Sequence, residues 1–141
     1  MSLSVGKYLV SMVLIITMTF TVDAQAKVGD KKDGGIVFWL DSTGNHGLIA
    51  DVKDLGKFTW REAINACKNK GDGWYLPDKN ELDKLYQNQN KVGGFATGNY
   101  WSSSEWEAQD YNAFYQNFTV GYKDNAFKTA SNFYVRAVRA F

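Results

Sequence analysis

Apolar and polar positions divide the chain into blocks of different period. Residues 8–22 (YLVSMVLIITMTFTV) form an uncharged apolar run. Further on, apolar residues come in short bursts separated by glycine and polar clusters, which is the pattern of strands and turns. Gly35–Leu40 (GIVFWL) predicts a β-branched and aromatic strand. Gly47–Val52 predicts a second strand, and the DSTGNHG turn chemistry between them predicts a hairpin. Thr59–Lys70 predicts a helix. Thr59 and Glu62 have the capping-box spacing, and Trp60, Ala63, Ile64 and Cys67 fall on one face. Trp74–Pro77 reads as extended. Asp78–Asn88 predicts a second helix, capped by Asp78, with Leu82, Leu85 and Tyr86 as its apolar stripe.

The last third is strand-like. Residues 88–98 read as a loop with adjacent glycines, Tyr100–Ser104 as a strand, and Glu105–Tyr111 as an acidic, aromatic loop. Asn112–Val120 alternates, with Phe114, Phe118 and Val120 on one face and Ala113, Tyr115, Asn117 and Thr119 on the other. Gly121–Asn125 reads as a turn and Phe133–Phe141 as one closing strand. Strands and helices are segregated along the chain rather than alternating. The expected class is therefore α+β, with two helices packed on a small antiparallel sheet with long loops.

The first apolar run changes the picture of where the chain works. Lys7 precedes it, and Asp23 with Ala24-Gln25-Ala26 follows, which is the layout of a secretory signal peptide. The run is about 15 residues, short of the roughly 20 that span a bilayer. Cleavage is expected after Ala26, with Val22-Asp23-Ala24 as a second site. That divides the chain into a signal peptide (1–26), a short polar linker (27–33) and a domain (34–141). The protein is then secreted, periplasmic or on the cell surface, with no membrane span after cleavage.

Composition narrows the function classes. Lys and Arg total 16 against 15 Asp and Glu, and a net charge of +1 argues against a nucleic-acid partner. One cysteine excludes an intrachain disulfide and a cysteine-built zinc site. Cys67 lies on the apolar face of the first helix and is expected to be buried and inert. Ser102, Ser103 and Ser104 with His46 do not make a hydrolase set, because nothing orients His46, in a glycine-rich turn, as a base. No catalytic residue is assigned. Trp39, Trp60, Trp74 and Trp101 are expected in the core. Arg136 and Arg139 are expected to pair with an internal acid such as Glu81 or Glu105 rather than to bind an anion.

An exposed flat ring offers a platform for the C–H face of a sugar, and nearby Asp and Asn side chains accept its hydroxyls. The candidate ligand-binding residues are Trp106, Asp110, Tyr111, Asn112 and Tyr115. Asp110, Asn112, Asp124 and Asn125 are weak calcium candidates, and no cofactor is expected.

Four segments in order, GGIVFWLD…GNHGLIA (34–50), GWYLPDKNEL (73–82), NYWSSSE (99–105) and YVRAVRAF (134–141), resemble the Lcl C-terminal domain family. The resemblance covers about residues 33–141. It implies a C-type-lectin-like fold, extracytoplasmic placement and binding rather than catalysis. The ligand region of such folds corresponds to residues 88–112 here. The family includes the end domain of a collagen-like surface adhesin that binds sulfated polysaccharide and trimerises. This sequence holds no collagen-like repeat, and its lysines are scattered. The Glu-Pro-Asn or Gln-Pro-Asp and Trp-Asn-Asp motifs of calcium-dependent lectins are absent from it. The Leu76–Leu82 segment is similar to one in the formylglycine-generating enzymes, which share the wider fold but work through a cysteine pair. The expectation is a non-catalytic binding module for a glycan or surface-protein ligand. A structural, homo-oligomerising module is the alternative, and a lectin-fold enzyme a distant third.

Overall fold

A computed structural model describes Ser2, residues 13–19 and residues 24–141. Most of the expected signal segment lies outside the described residues. Residues 13–19 carry no regular secondary structure. Among the described residues no helix is long and apolar enough to cross a membrane.

Residues 24–141 fold as a mixed α+β unit. Its elements run in the order β1 (Lys31–Lys32), β2 (Gly35–Leu40), β3 (Gly47–Ala50), β4 (Gly56–Phe58), α1 (Trp60–Asn69), α2 (Lys79–Gln87), α3 (Gln89–Val92), β5 (Asn99–Glu105), β6 (Asn112–Asn117), β7 (Lys123–Phe127), β8 (Phe133–Val135) and β9 (Val138–Ala140). They build two sheets, β1-β2-β3-β9 and β4-β8-β5-β6-β7. The β2–β3 hairpin forms as its turn chemistry predicts.

Both long helices start where the capping chemistry puts them. At α1 the Thr59 hydroxyl accepts the Glu62 amide, and the Glu62 carboxylate accepts the Thr59 amide at 2.9 Å. At α2 the Asp78 carboxylate accepts the Asn80 and Glu81 amides at 2.8 Å, and Glu81 returns a bond from the Asp78 amide at 3.0 Å. Each box satisfies amides that the helix leaves without partners. α1 buries Trp60, Ala63 and Cys67, and α2 buries Leu82 and Leu85.

These faces pack into two apolar clusters. One joins Trp60, Ala63 and Cys67 to Trp101, Ala113, Phe133 and Val135. The other joins Leu82 and Leu85 to Tyr100 and Phe118, with Tyr134 against them. Tyr100 and Trp101 are neighbours in β5, and successive side chains of a strand leave on opposite faces. α1 and α2 therefore cover opposite faces of the five-stranded sheet.

Several expectations need correction. The helices do not share one antiparallel sheet: there are two sheets, and β5 pairs with β8 in parallel at Tyr100 and Tyr134. The loop at 88–98 contains the short helix α3. Lys31 and Lys32, read as linker, pair with Ile36 and Gly35. Residues 121–125 are not simply a turn, because β7 starts at Lys123 and pairs with β6 along its length. Trp39, expected in the core, is only half-buried, with the Lys84 ammonium 4.3 Å from its ring centroid. Val120 is 72% exposed instead of sharing an apolar face with Phe118.

The closing strand is also two strands, β8 in one sheet and β9 in the other. The chain crosses between them at Arg136 and Ala137, and Arg136 is 1% exposed. Its Nε donates to Asp54 Oδ1 at 2.8 Å, its Nη1 to the carbonyls of Asp51 and Gly93, and its Nη2 to the carbonyl of Gly94 at 2.7 Å. Its partner is thus Asp54, not Glu81 or Glu105. Glu81 takes the Tyr75 hydroxyl at 2.6 Å, and Glu105 pairs with Lys128 at 2.7 Å. Gly93 and Gly94 both have positive φ, and a Cβ at Gly94 would sit 3.0 Å from the Val52 carbonyl oxygen. Glycine is the residue that lets this turn close around the guanidinium.

Removing one member of a buried, hydrogen-bonded ion pair typically costs about 3–5 kcal/mol. Arg136→Met should lose that much in urea denaturation, and Arg136→Lys should recover little, since an ammonium cannot reproduce the planar fork. An Arg136→Met loss below about 1 kcal/mol would contradict this account. Cys67 is fully buried, and burial together with the charge of Asp51 pushes its thiol up to about 12. Thiol reagents should therefore label Cys67 only after denaturation, as read by mass spectrometry.

Candidate functional site

The segment expected to bind ligand is a tight turn leading out of β5. The Gln109 amide donates to the Trp106 carbonyl at 3.1 Å, the Asn112 amide to Gln109 at 3.2 Å, and the Trp106 amide to Asn112 at 3.0 Å. Trp106 is half-buried. Lys128 secures this turn. Its ammonium bonds Glu105 and the Asp110 carbonyl and lies 4.5 Å from the Trp60 ring centroid. Its amide donates to the Tyr111 carbonyl at 2.9 Å.

Tyr111 comes out of this arrangement 50% exposed, beside Phe127 at 63%. Their rings stack with centroids 5.8 Å apart and planes at 26°. Next to them Thr59, Trp60, Arg61, Tyr111, Lys128 and Thr129 line an open pocket of about 380 Å³. Phe127 was missed in the sequence. Its strand is short and polar, and its exposure follows from the end position in β7 opposite Asn112.

The other candidates lie elsewhere. Tyr115 packs edge-on against Phe133 at 4.8 Å and 61°, and burial together with Asp124 raises its hydroxyl above the ordinary value. Asn112 is buried, and its Nδ2 donates to Asn125 Oδ1 at 2.7 Å. The Asn125 amide groups in turn donate to Asp124 Oδ1, and Tyr122 donates to Asp124 Oδ2 at 2.6 Å. The Tyr122 bond, with the Asn125 amide, holds the Asp124 carboxyl below its usual range. Asn112, Asp124 and Asn125 thus form one chain of hydrogen bonds, whereas Asp110 contributes its carbonyl to Lys128. Among the described residues no three His, Cys, Asp or Glu side chains gather as a metal site. The Ser102 hydroxyl donates to the Phe114 carbonyl at 2.8 Å, the Ser104 hydroxyl accepts the Lys79 amide at 2.9 Å, and His46 is exposed in its turn.

A second concavity lies on the α2 face of the sheet. Lys79, Asn80, Leu82, Ser102, Phe114, Tyr115, Gln116 and Lys123 line a cavity of about 260 Å³. The Lys79 ammonium sits 4.7 Å from the Phe114 ring centroid. Buried Gln116 donates from Nε2 to Asp83 Oδ1 at 2.9 Å and to the Gly121 carbonyl at 3.3 Å. Lys123 pairs with the same Asp83 oxygen at 2.8 Å. Burial works against the charge on Asp83, but the bonds from Lys123, Gln116 and Gln87 outweigh it and hold its carboxyl below the ordinary value.

The arrangement can bind and position a ligand: a stacked pair of exposed rings beside one pocket, and a lysine-rimmed cavity next to α2. As a fold it defines a mixed α+β domain with two sheets and three short helices among the described residues. The sequence matches the family model of the Lcl C-terminal domain over residues 28–139, nearly the whole chain, and the protein belongs to that family. No curated protein matches it.

The depressed Asp83 pKa carries a sign. Its stabilising contribution is fully present above the unfolded carboxylate value of about 4 and disappears as pH falls through the lower folded value. The melting temperature of Asp83→Asn should therefore fall less steeply than wild type between about pH 4 and pH 2. Parallel acid limbs would refute the linkage.

Proposed function

We propose that this protein is an exported, non-catalytic binding module of C-type-lectin-like design that recognises a glycan. The observation that carries the reading is the stacked, half-exposed pair Tyr111 and Phe127 beside its pocket. Soluble proteins bury most of their large aromatics, so two adjacent exposed rings favour a binding surface. A pyranose lays its C–H face on such rings, and Arg61, Thr59 and Thr129 at the pocket wall supply donors and acceptors to its hydroxyls. Membership of the Lcl C-terminal domain family supports surface placement. So does the apolar run at 8–22 with its small residues before Lys27. The ligand is bound and released unchanged.

Binding of the protein to a polysaccharide array tests this, with and without a chelator. Selective binding should weaken roughly tenfold in Tyr111→Ala and in Phe127→Ala, a loss of about 1.4 kcal/mol each, while both melt as wild type does. Loss on chelation as well would make Asp124 and Asn125 cation ligands. A folded sample that binds no glycan would overturn the reading in favour of a protein-interaction module, whose mass in solution would then show whether it self-associates.

A further inference from the structure

We infer that the cavity between α2 and β6 is a second ligand site, for a small carboxylate with a flat apolar body. The walls argue for the body. Leu82 and the Phe114 ring are apolar, and part of the polar lining around them is already engaged. The Ser102 hydroxyl is bound to the Phe114 carbonyl, and the Gln116 amide nitrogen to Asp83 and Gly121. In the lining, the Asn80 side chain, the Tyr115 hydroxyl and the buried Gln116 Oε1 have no such bond. A polyhydroxylated sugar would find only these three neutral partners here, and its remaining hydroxyls would be buried unpaired at a cost in free energy. The volume of about 260 Å³ lies just under the range of drug-sized sites, so it admits one ring with a short acid arm.

The rim argues for the charge. Two lysines line the cavity and no acid does. Lys123 is neutralised by Asp83 at 2.8 Å, which leaves Lys79 as the net charge. Its ammonium rests near the Phe114 ring, where an anion on the apolar surface would meet it directly. One uncompensated cation over an apolar wall selects a monoanion. The site lies on the opposite face of the five-stranded sheet from Tyr111 and its pocket. It is independent of the glycan reading, and the two can fail separately.

Titrations of the ¹⁵N-labelled protein with phenylacetate, its neutral isostere phenylacetamide, and acetate test the assignment. Phenylacetate should shift the amides of Asn80, Phe114, Gln116 and Lys123 saturably, leaving Tyr111 and Phe127 unmoved. Phenylacetamide and acetate should each bind about fivefold more weakly, the size of one partly exposed ion pair. Lys79→Met, which keeps the stem and removes the charge, should weaken phenylacetate by the same factor and leave phenylacetamide unchanged. Absence of saturable shifts, or shifts centred elsewhere, would overturn the inference. Equal affinity for all three probes, or unaltered phenylacetate binding by a folded Lys79→Met, would overturn it too.

Discussion

A single guanidinium holds the two sheets of this domain in register with each other. Arg136 occupies the point where the chain leaves β8 and enters β9, and its four bonds reach two distant parts of the fold. Asp54 and the Asp51 carbonyl belong to the segment after β3, while the Gly93 and Gly94 carbonyls belong to the turn after α3. Asp54 also accepts the Tyr100 hydroxyl at 2.7 Å, which links the same network to the start of β5. The guanidinium carbon lies 3.9 Å from the Phe95 ring centroid, so its flat face is covered as well. A buried cation is costly unless its donors are satisfied. Here that requirement specifies geometry: the turn, the crossover and the central strand must all be in place together.

Once that crossover is set, the five-stranded sheet has a helix on each face and the candidate sites fall where coverage ends. α1 covers one face as far as Trp60, and the sheet continues past it into β6 and β7. Tyr111 lies at that margin, beside Thr59, Trp60 and Arg61 at the start of α1, and Phe127 stacks on it from the end of β7. On the other face α2 begins at Lys79, and the space between its first turn and Phe114 is the second cavity. Both concavities therefore adjoin helix starts, which are the best-defined local features of the sequence. Rigid elements position a side chain more accurately than loops do.

Local chemistry was the most legible part. The two capping boxes, the buried face of α1 with Cys67, and the β2–β3 hairpin all follow from spacing over a few residues, and all are present. What the sequence could not show depends on distant partners. β7 (KDNAF) reads as a turn because its own residues favour one. It is a strand because β6 offers it a full ladder of hydrogen bonds. β4 is likewise three residues held by β8. Arg136 could be recognised as a structural arginine, but Asp54 is 82 residues away and no periodicity connects them. The candidate site was half legible for the same reason. Tyr111 stands out in an acidic loop, whereas Phe127 joins it only through β6–β7 pairing. Tyr115 looked as exposed as Tyr111 until Phe133 arrived from another strand.

The lysines explain why so aromatic a surface is compatible with a nearly neutral chain. Aromatics make up 16% of the residues, and several of their rings are only partly buried. Six ring faces are covered by ammonium groups: Lys32 over Phe141, Lys57 over Tyr134, Lys70 over Trp74, Lys79 over Phe114, Lys84 over Trp39 and Lys128 over Trp60. The stems shield apolar area from water while the charge stays solvated. Scattered lysines are thus what a scattered set of half-buried rings requires, and they do not add up to a polyanion-binding patch. Against that pattern Tyr111 and Phe127 differ, since among the described residues no ammonium lies over either ring. Tyr122 is also exposed and bare, but its hydroxyl is tied to Asp124, so the stacked pair Tyr111 and Phe127 is the feature of this surface that burial alone does not account for.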